Sequence, residues 1–196
     1  MRHYKTSAFK LCVAIGVVFG TTTATLACGN ALLYPLLFRV YPQAKVAYDA
    51  ELDARRQGRL SVPSWSRDLG STYHQWSLAR AEKAVKELGT RLHAKATSQE
   101  AKGTSPIKLL LTNEIYTAQI EPQANKATLE PLRTGRSERP ADLYTSANVI
   151  RALLDGKLKW PVAVDKKLVV FGDSERVQSL SALLWAALSK KDAETH

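Results

Sequence analysis

Residues 107–132 read IKLLLTNEIYTAQIEPQANKATLEPL, and the fold is decided there. Residues 107–112, 116–120 and 126–132 are three short runs rich in aliphatic, aromatic and β-branched side chains. Between them stand Asn113-Glu114 and Pro122-Gln123-Ala124-Asn125, residue types that turn a chain back on itself. The stretch predicts three strands joined by hairpins.

Downstream, ADLYTS (141–146) reads as a further strand, and Thr145 or Ser146 caps a helix that runs through Leu154 and stops at Gly156. Val149, Ile150, Leu153 and Leu154 give that helix a broad apolar face. Residues 167–171 (KLVVF) form a last strand. Asp173 caps a closing helix whose Val177, Leu180, Leu183, Leu184 and Leu188 make an apolar stripe. A meander followed by helix, strand and helix is an α+β arrangement: a small antiparallel sheet packed by helices, spanning residues 107–190.

The motifs along this stretch add a resemblance. Ala141-Asp142 is followed by Ala152-Leu153-Leu154-Asp155-Gly156-Lys157-Leu158, and then by a spacer of seven residues. Lys166-Lys167-Leu168-Val169-Val170-Phe171-Gly172-Asp173 and the Leu-rich SERVQSLSALLWAAL complete the series. In this order they resemble the lipid-binding domains of the sterol carrier protein type 2 family, over about residues 107–188. The resemblance implies an apolar tunnel between sheet and helices that takes a lipid tail. Leu109, Leu111, Ile120 and Leu129 on the strands would then share an interior with Ile150, Leu154, Leu184 and Trp185.

Upstream, the chain opens with Arg2, Lys5 and Lys10 and no acid, and then runs from Leu11 to Phe38, 28 residues, without a charge. A helix needs about 20 apolar residues to cross a bilayer. Three forms of membrane segment fit residues 1–40. One is a cleaved signal with small residues Thr25 and Ala27 before Cys28. Another is a lipobox-like Thr25-Leu26-Ala27-Cys28-Gly29, which would be lipidated at Cys28. The third is a retained anchor ended by Pro35 and Pro42, favoured by the second apolar run ALLYPLLF (31–38). Each places the bulk of the chain outside the cytoplasm, on the periplasmic side in a bacterium, if the basic N-terminus stays inside.

Residues 43–96 read as a helical segment. QAKVAYDAELDARRQGR favours helix up to Gly58, and Ser71 or Thr72 can cap a second helix through about Ala96. In the latter, Ala81, Val85, Leu88 and Leu92 form one stripe, with Lys83, Lys86, Glu87 and Arg91 on the opposite face. Trp65 and Trp76 read as core or docking contacts rather than interfacial anchors. Residues 97–106 have the composition of a linker.

The formal charge of +10 is not spread evenly. Residues 1–102 hold 15 Lys and Arg against 7 Asp and Glu, whereas the remainder holds 13 against 11. The basic excess therefore sits in the half that meets the membrane, where anionic headgroups attract it. No basic surface interleaved with aromatics points to nucleic acid. The two cysteines, Cys12 and Cys28, both lie in the apolar stretch, and His3, His74, His93 and His196 are scattered, so no metal site is expected. No cofactor loop is present either. Val170-Phe171-Gly172-Asp173-Ser174, with Asp192 and His196 downstream, imitates a lipase nucleophile block. Its spacing fits a helix cap better than a triad.

These readings lead to an expectation of a non-catalytic module, tethered to a membrane or exported, that binds an apolar ligand such as a lipid or isoprenoid. The alternative is a structural or assembly subunit of a cell-envelope complex that works through protein partners.

Overall fold

The computed structural model describes residues 29–60, 70–96, 105–132, 140–172 and 175–189. Residues up to Val40 form one compact unit and residues from Tyr41 onward another. In the first, helix α1 (Gly29–Val40) keeps Pro35 inside it, and the rings of Tyr34 and Phe38 meet one turn apart at 5.8 Å. Pro35 therefore does not end the helix, as the sequence suggested; it removes one backbone hydrogen bond from a turn that continues. Twelve residues rise about 18 Å. Among the described residues no helix is long and apolar enough to cross a membrane. The apolar run before Gly29, Cys28 included, lies outside the described residues, as do Trp65 and the expected linker over residues 97–104.

The second unit is an α+β domain. Helices α2 (Pro42–Arg56) and α3 (Gly70–Ala96) precede strands β1 (Ile107–Leu111), β2 (Tyr116–Glu121) and β3 (Lys126–Pro131). After them come β4 (Leu143–Thr145), α4 (Ala147–Leu154), α5 (Trp160–Asp165), β5 (Val170–Phe171) and α6 (Val177–Leu188). The strands lie in the order β3-β2-β1-β4-β5. The meander forms as its turn chemistry predicts, with Leu109 opposite Ala118 and Ala118 opposite Leu129. The sheet as a whole is mixed rather than antiparallel, because β4 returns beside β1 and runs parallel to it, Leu109 facing Leu143. A parallel neighbour needs a long connection, and the β2–β3 meander separates β1 from β4 in the sequence.

Register decides which face each side chain meets. Ile107, Leu109, Leu111, Ile120 and Leu143 point to one face and join Ala81, Ala84, Val85, Leu88 and Leu92 of α3 in a single core. That core also takes in Val149, Ile150, Leu153 and Leu154 of α4, and Leu180 and Leu184 of α6. Burying each large aliphatic side chain contributes about 1.5–3 kcal/mol. The helical segment before residue 97 is thus part of the same packed body as the sheet. α3 comes close because Gly89 is its contact point: a methyl group there would stand 3.3 Å from Ala127 Cβ and 3.5 Å from Ile120 Cγ2. The other face is half covered. Leu110 and Tyr144 are buried on it, with the Tyr41 ring 6.3 Å from that of Tyr144, whereas Gln119, Thr128 and Glu130 are exposed.

Two details correct the sequence reading. Glu87 and Arg91 do not lie on a solvent face. Arg91 donates to Glu87 (3.0 Å) and to the Leu154 carbonyl (2.9 Å), and Arg151 of α4 donates to Glu87 (2.7 Å). The pair fastens α3 to the end of α4. The last strand is only Val170–Phe171, because residues 166–169 are taken up by the tight turn that ends α5. Trp160-Pro161 opens α5 with proline in the first turn, where its missing N–H costs nothing.

Candidate functional site

The helix that departs from a simple amphipathic pattern is α2. Its buried stripe is Ala44, Ala47, Glu51 and Ala54, at spacings of three, four and three. The small residues let the helix lie close to the sheet, and a carboxylate stands where an apolar side chain would be expected. The Glu51 side chain is 2% exposed. Burying a charge is tolerated only when partners satisfy it, and three donors do so. Arg55 pairs with Glu51 one turn along the helix. Asn113 Nδ2 of the β1–β2 turn reaches Glu51 Oε2 at 2.5 Å, and Asn148 Nδ2 in the first turn of α4 reaches Oε1 at 3.4 Å.

A second acid stands beside it. Glu114 follows Asn113 in the same turn, and its Oε2 accepts from the Ala147 amide at 3.4 Å, at the N-terminus of α4. Burial and then the neighbouring Glu51 raise its pKa from the ordinary 4.5 to about 7. The Ala147 and Glu114 backbone amides and Arg55 oppose that rise. The turn is tight: Ile115 has φ +58, a left-handed conformation that a β-branched residue rarely adopts. The cluster sits at the carboxyl ends of the parallel pair β1 and β4. Buried hydroxyls fix the frame next to it: Thr112 Oγ1 donates to the Thr145 carbonyl (3.1 Å) and Thr145 Oγ1 to that of Leu168 (3.0 Å). Ser146 caps α4 by accepting from the Val149 amide (3.2 Å), as the sequence predicted.

The outer flank of α2 faces α5 across a cleft of about 430 Å3. Val46, Ala50, Ala54, Leu158, Val162 and Leu168 give it an apolar lining. Val46 and Val162 are 40% and 44% exposed at its mouth. Asp49 and Asp53 line the α2 side, where Lys45 pairs with Asp49 and Arg56 with Asp53. Arg59, Lys166 and Lys167 also line it. Lys167 is held at φ +57 in the tight turn that ends α5, where its amide donates to Val164 and that of Leu168 donates to Ala163. Glycine or asparagine is the usual occupant of such a position.

Of the residues expected to line a lipid tunnel, Leu109, Leu111, Ile120, Ile150, Leu154 and Leu184 are brought together, each at most 3% exposed. A void wide enough for a water molecule would leave accessible area on such side chains, so they read as filled core. Leu129 packs partly buried against that core. Trp185 does not join it: at 54% exposure it faces outward, because α6 turns Leu180, Leu184, Ala187 and Leu188 inward and Trp185 lies about 100° round from Leu184.

Asp142 and Gly172 have structural duties. The Lys108 amide donates to the Asp142 carboxylate (2.8 Å), and the Gly172 amide donates to its carbonyl (2.9 Å). His93 Nδ1 lies 2.6 Å from the Pro122 carbonyl, which only accepts, so that nitrogen carries the proton and ties α3 to the β2–β3 turn. Ser174, Asp192 and His196 lie outside the described residues. Among the described residues no group of His, Cys, Asp and Glu is placed to hold a metal ion. The Glu51–Glu114 pair and the α2–α5 cleft are not evident from sequence. The stripe Ala44-Ala47-Glu51-Ala54 was the available signal, an acid on an otherwise small-residue face.

No protein-family model, no curated protein and no solved structure matches the chain.

Proposed function

We propose that this chain is a non-catalytic module, tethered to or exported across a membrane, that binds a single apolar ligand in the α2–α5 cleft. The carrying observation is the cleft: about 430 Å3, with Val46, Ala50, Ala54, Leu158, Val162 and Leu168 set among charged Asp49, Asp53, Arg59, Lys166 and Lys167. That volume falls within the roughly 300–1,000 Å3 typical of small-molecule pockets. The element order of meander, strand, helix, strand and helix supports the sterol-carrier-like reading. The filled sheet–helix interior shifts the proposed ligand site from a tunnel to the cleft. Both oxygens of Glu51 are already engaged by the protein's own donors, which favours a structural part for it over a catalytic one. The uncharged run from Leu11 to Phe38 motivates the membrane attachment and the extracytoplasmic placement.

The test uses the full chain in nanodiscs with photoreactive long-chain fatty acid and isoprenoid probes. Crosslinks concentrated on residues 46–60 and 158–168, and lost on Val162→Asp, are expected. Labelling unaffected by that substitution, or absent, would overturn the reading. The N-terminus of the mature protein (intact, cut before Cys28, or acylated there) settles the form of attachment.

A second reading is a structural or assembly subunit of an envelope complex. The exposed Trp185 on α6 favours it, since large aromatic side chains are enriched at protein interfaces. It predicts a partner that co-purifies in fixed stoichiometry and is lost on Trp185→Ala.

A further inference from the structure

We propose that the Glu51–Glu114 pair makes the seating of α2 on the sheet sensitive to pH, so that α2 is held firmly in acid and loosens as pH rises toward neutrality. Three observations carry this. First, the two carboxyls come from different parts of the chain, α2 and the β1–β2 turn, and meet only when α2 is docked. Second, the bridging contacts that hold Glu51 cross the same boundary: Asn113 and Asn148 donate from the turn and from α4. Third, among the described residues the cation paired with Glu51 is Arg55, which is on α2 itself and leaves with it.

Among the described residues, two elements besides its own turn bring groups to Glu114. From α2 they are Glu51, which repels its charged form, and Arg55, which stabilises it. From α4 it meets the Ala147 amide, and within its own turn its own backbone amide. With one proton on the pair, Glu114 is neutral and Glu51 keeps its three donors. When that proton leaves, two neighbouring carboxylates share the Arg55 guanidinium, and the Glu51 one is almost fully withdrawn from water. Undocking α2 then becomes the cheaper way to hydrate the second charge. The equilibrium therefore moves toward release as pH rises, with no covalent step and no other ligand.

The consequence for ligand retention rests on the cleft reading above, because Val46, Ala50 and Ala54 of α2 form one wall of that cleft. The switch itself does not depend on that reading. Acid would hold the wall in place and a rise toward neutral pH would free it.

Hydrogen exchange of the full chain, corrected for the intrinsic pH dependence of exchange, tests the proposal directly. Amides of residues 46–56 should lose protection about thirtyfold between pH 5.5 and 8.5, the linkage factor for a group moving from about 7 to 4.5 on release. Amides of residues 81–92 in α3 should change less than twofold. Glu114→Gln should flatten the α2 profile at its high-protection level, and Glu51→Gln should move its midpoint to lower pH. A flat α2 profile in the unsubstituted chain overturns the proposal, whether or not either variant folds. So does a profile that survives Glu114→Gln. Loss of ligand labelling with the α2 profile intact would sink the cleft reading alone.

Discussion

A β-carbon on Gly172 would stand 2.1 Å from the carbonyl oxygen of Ala141, well inside any real contact. The two residues are 31 positions apart in the sequence, and the closeness is held by the Gly172 amide donating to the Asp142 carbonyl. Nothing flexible lies in the way, because the obstacle is backbone. Gly172→Ala should therefore cost upwards of about 3 kcal/mol or prevent folding, well beyond a usual point substitution. Urea unfolding measures it, and a loss below about 1 kcal/mol would contradict the geometry.

Stability should depend on pH through Glu114. Its folded pKa, about 7, lies above the ordinary 4.5, so the folded state holds a proton that the unfolded state gives up. The contribution is fully present below pH 4.5, declines between 4.5 and 7 and is absent above that. The total is at most about 3 kcal/mol. Glu114→Gln should leave stability unchanged near pH 4 and raise it at pH 8, as read by chemical denaturation at both.

The Glu87 junction should outweigh the exposed ion pairs. Arg91→Ala removes the contact with Glu87 and strands the Leu154 carbonyl, and an expected cost is about 1–2 kcal/mol. Lys86→Ala breaks an exposed pair with Glu82 and should change stability by less than about 0.5 kcal/mol. Equal effects in the two variants would show that the junction does not fasten α3 to α4.

Lys167→Gly offers a test of a different sign. A lysine at φ +57 carries a penalty of about 1 kcal/mol that glycine does not. The substitution should stabilise the fold by about that amount in thermal or urea unfolding. Destabilisation would mean that the Lys167 side chain contributes packing greater than the strain it imposes.

Leu184→Ala and Trp185→Ala separate core from surface on neighbouring positions. The first should cost about 2–5 kcal/mol. The second should cost little, because Trp185 is 54% exposed. Differential scanning of the two variants decides it.

Much of the fold was legible because it is locally encoded. Asn113-Glu114 and residues 122–125 specify hairpins within a few residues, and Ser146 and Gly156 mark both ends of α4. The stripe through Ala81, Val85, Leu88 and Leu92 was visible as a helical period. What escaped depended on distant parts of the chain. The parallel alignment of β4 with β1 is a long-range pairing that local composition does not determine. Trp160-Pro161 looked like a spacer because proline signals both loops and helix starts. Glu87 and Arg91 fall on the face opposite the apolar stripe, and charge alone does not say what meets them there. Trp185 sits in a run, ALLWAAL, so apolar on every side that period could not say which residues turn inward. Glu51 was readable in principle, yet one acid among Asp49, Asp53, Arg55 and Arg56 resembles an ordinary surface. Its part in the site appears only when the β1–β2 turn and α4 are placed around it.

The sheet order also bears on how molecules of this protein behave toward one another. Its two borders are β3 and β5, the strands through which a foreign strand could extend the sheet. β5 is two residues long, too short to template another chain. β3 presents exposed Lys126, Glu130 and Pro131; the prolyl nitrogen offers no donor, and the charged side chains keep the edge hydrated. Intermolecular sheet growth is thus disfavoured at both borders, so many copies can stand at high local concentration without polymerising edge to edge.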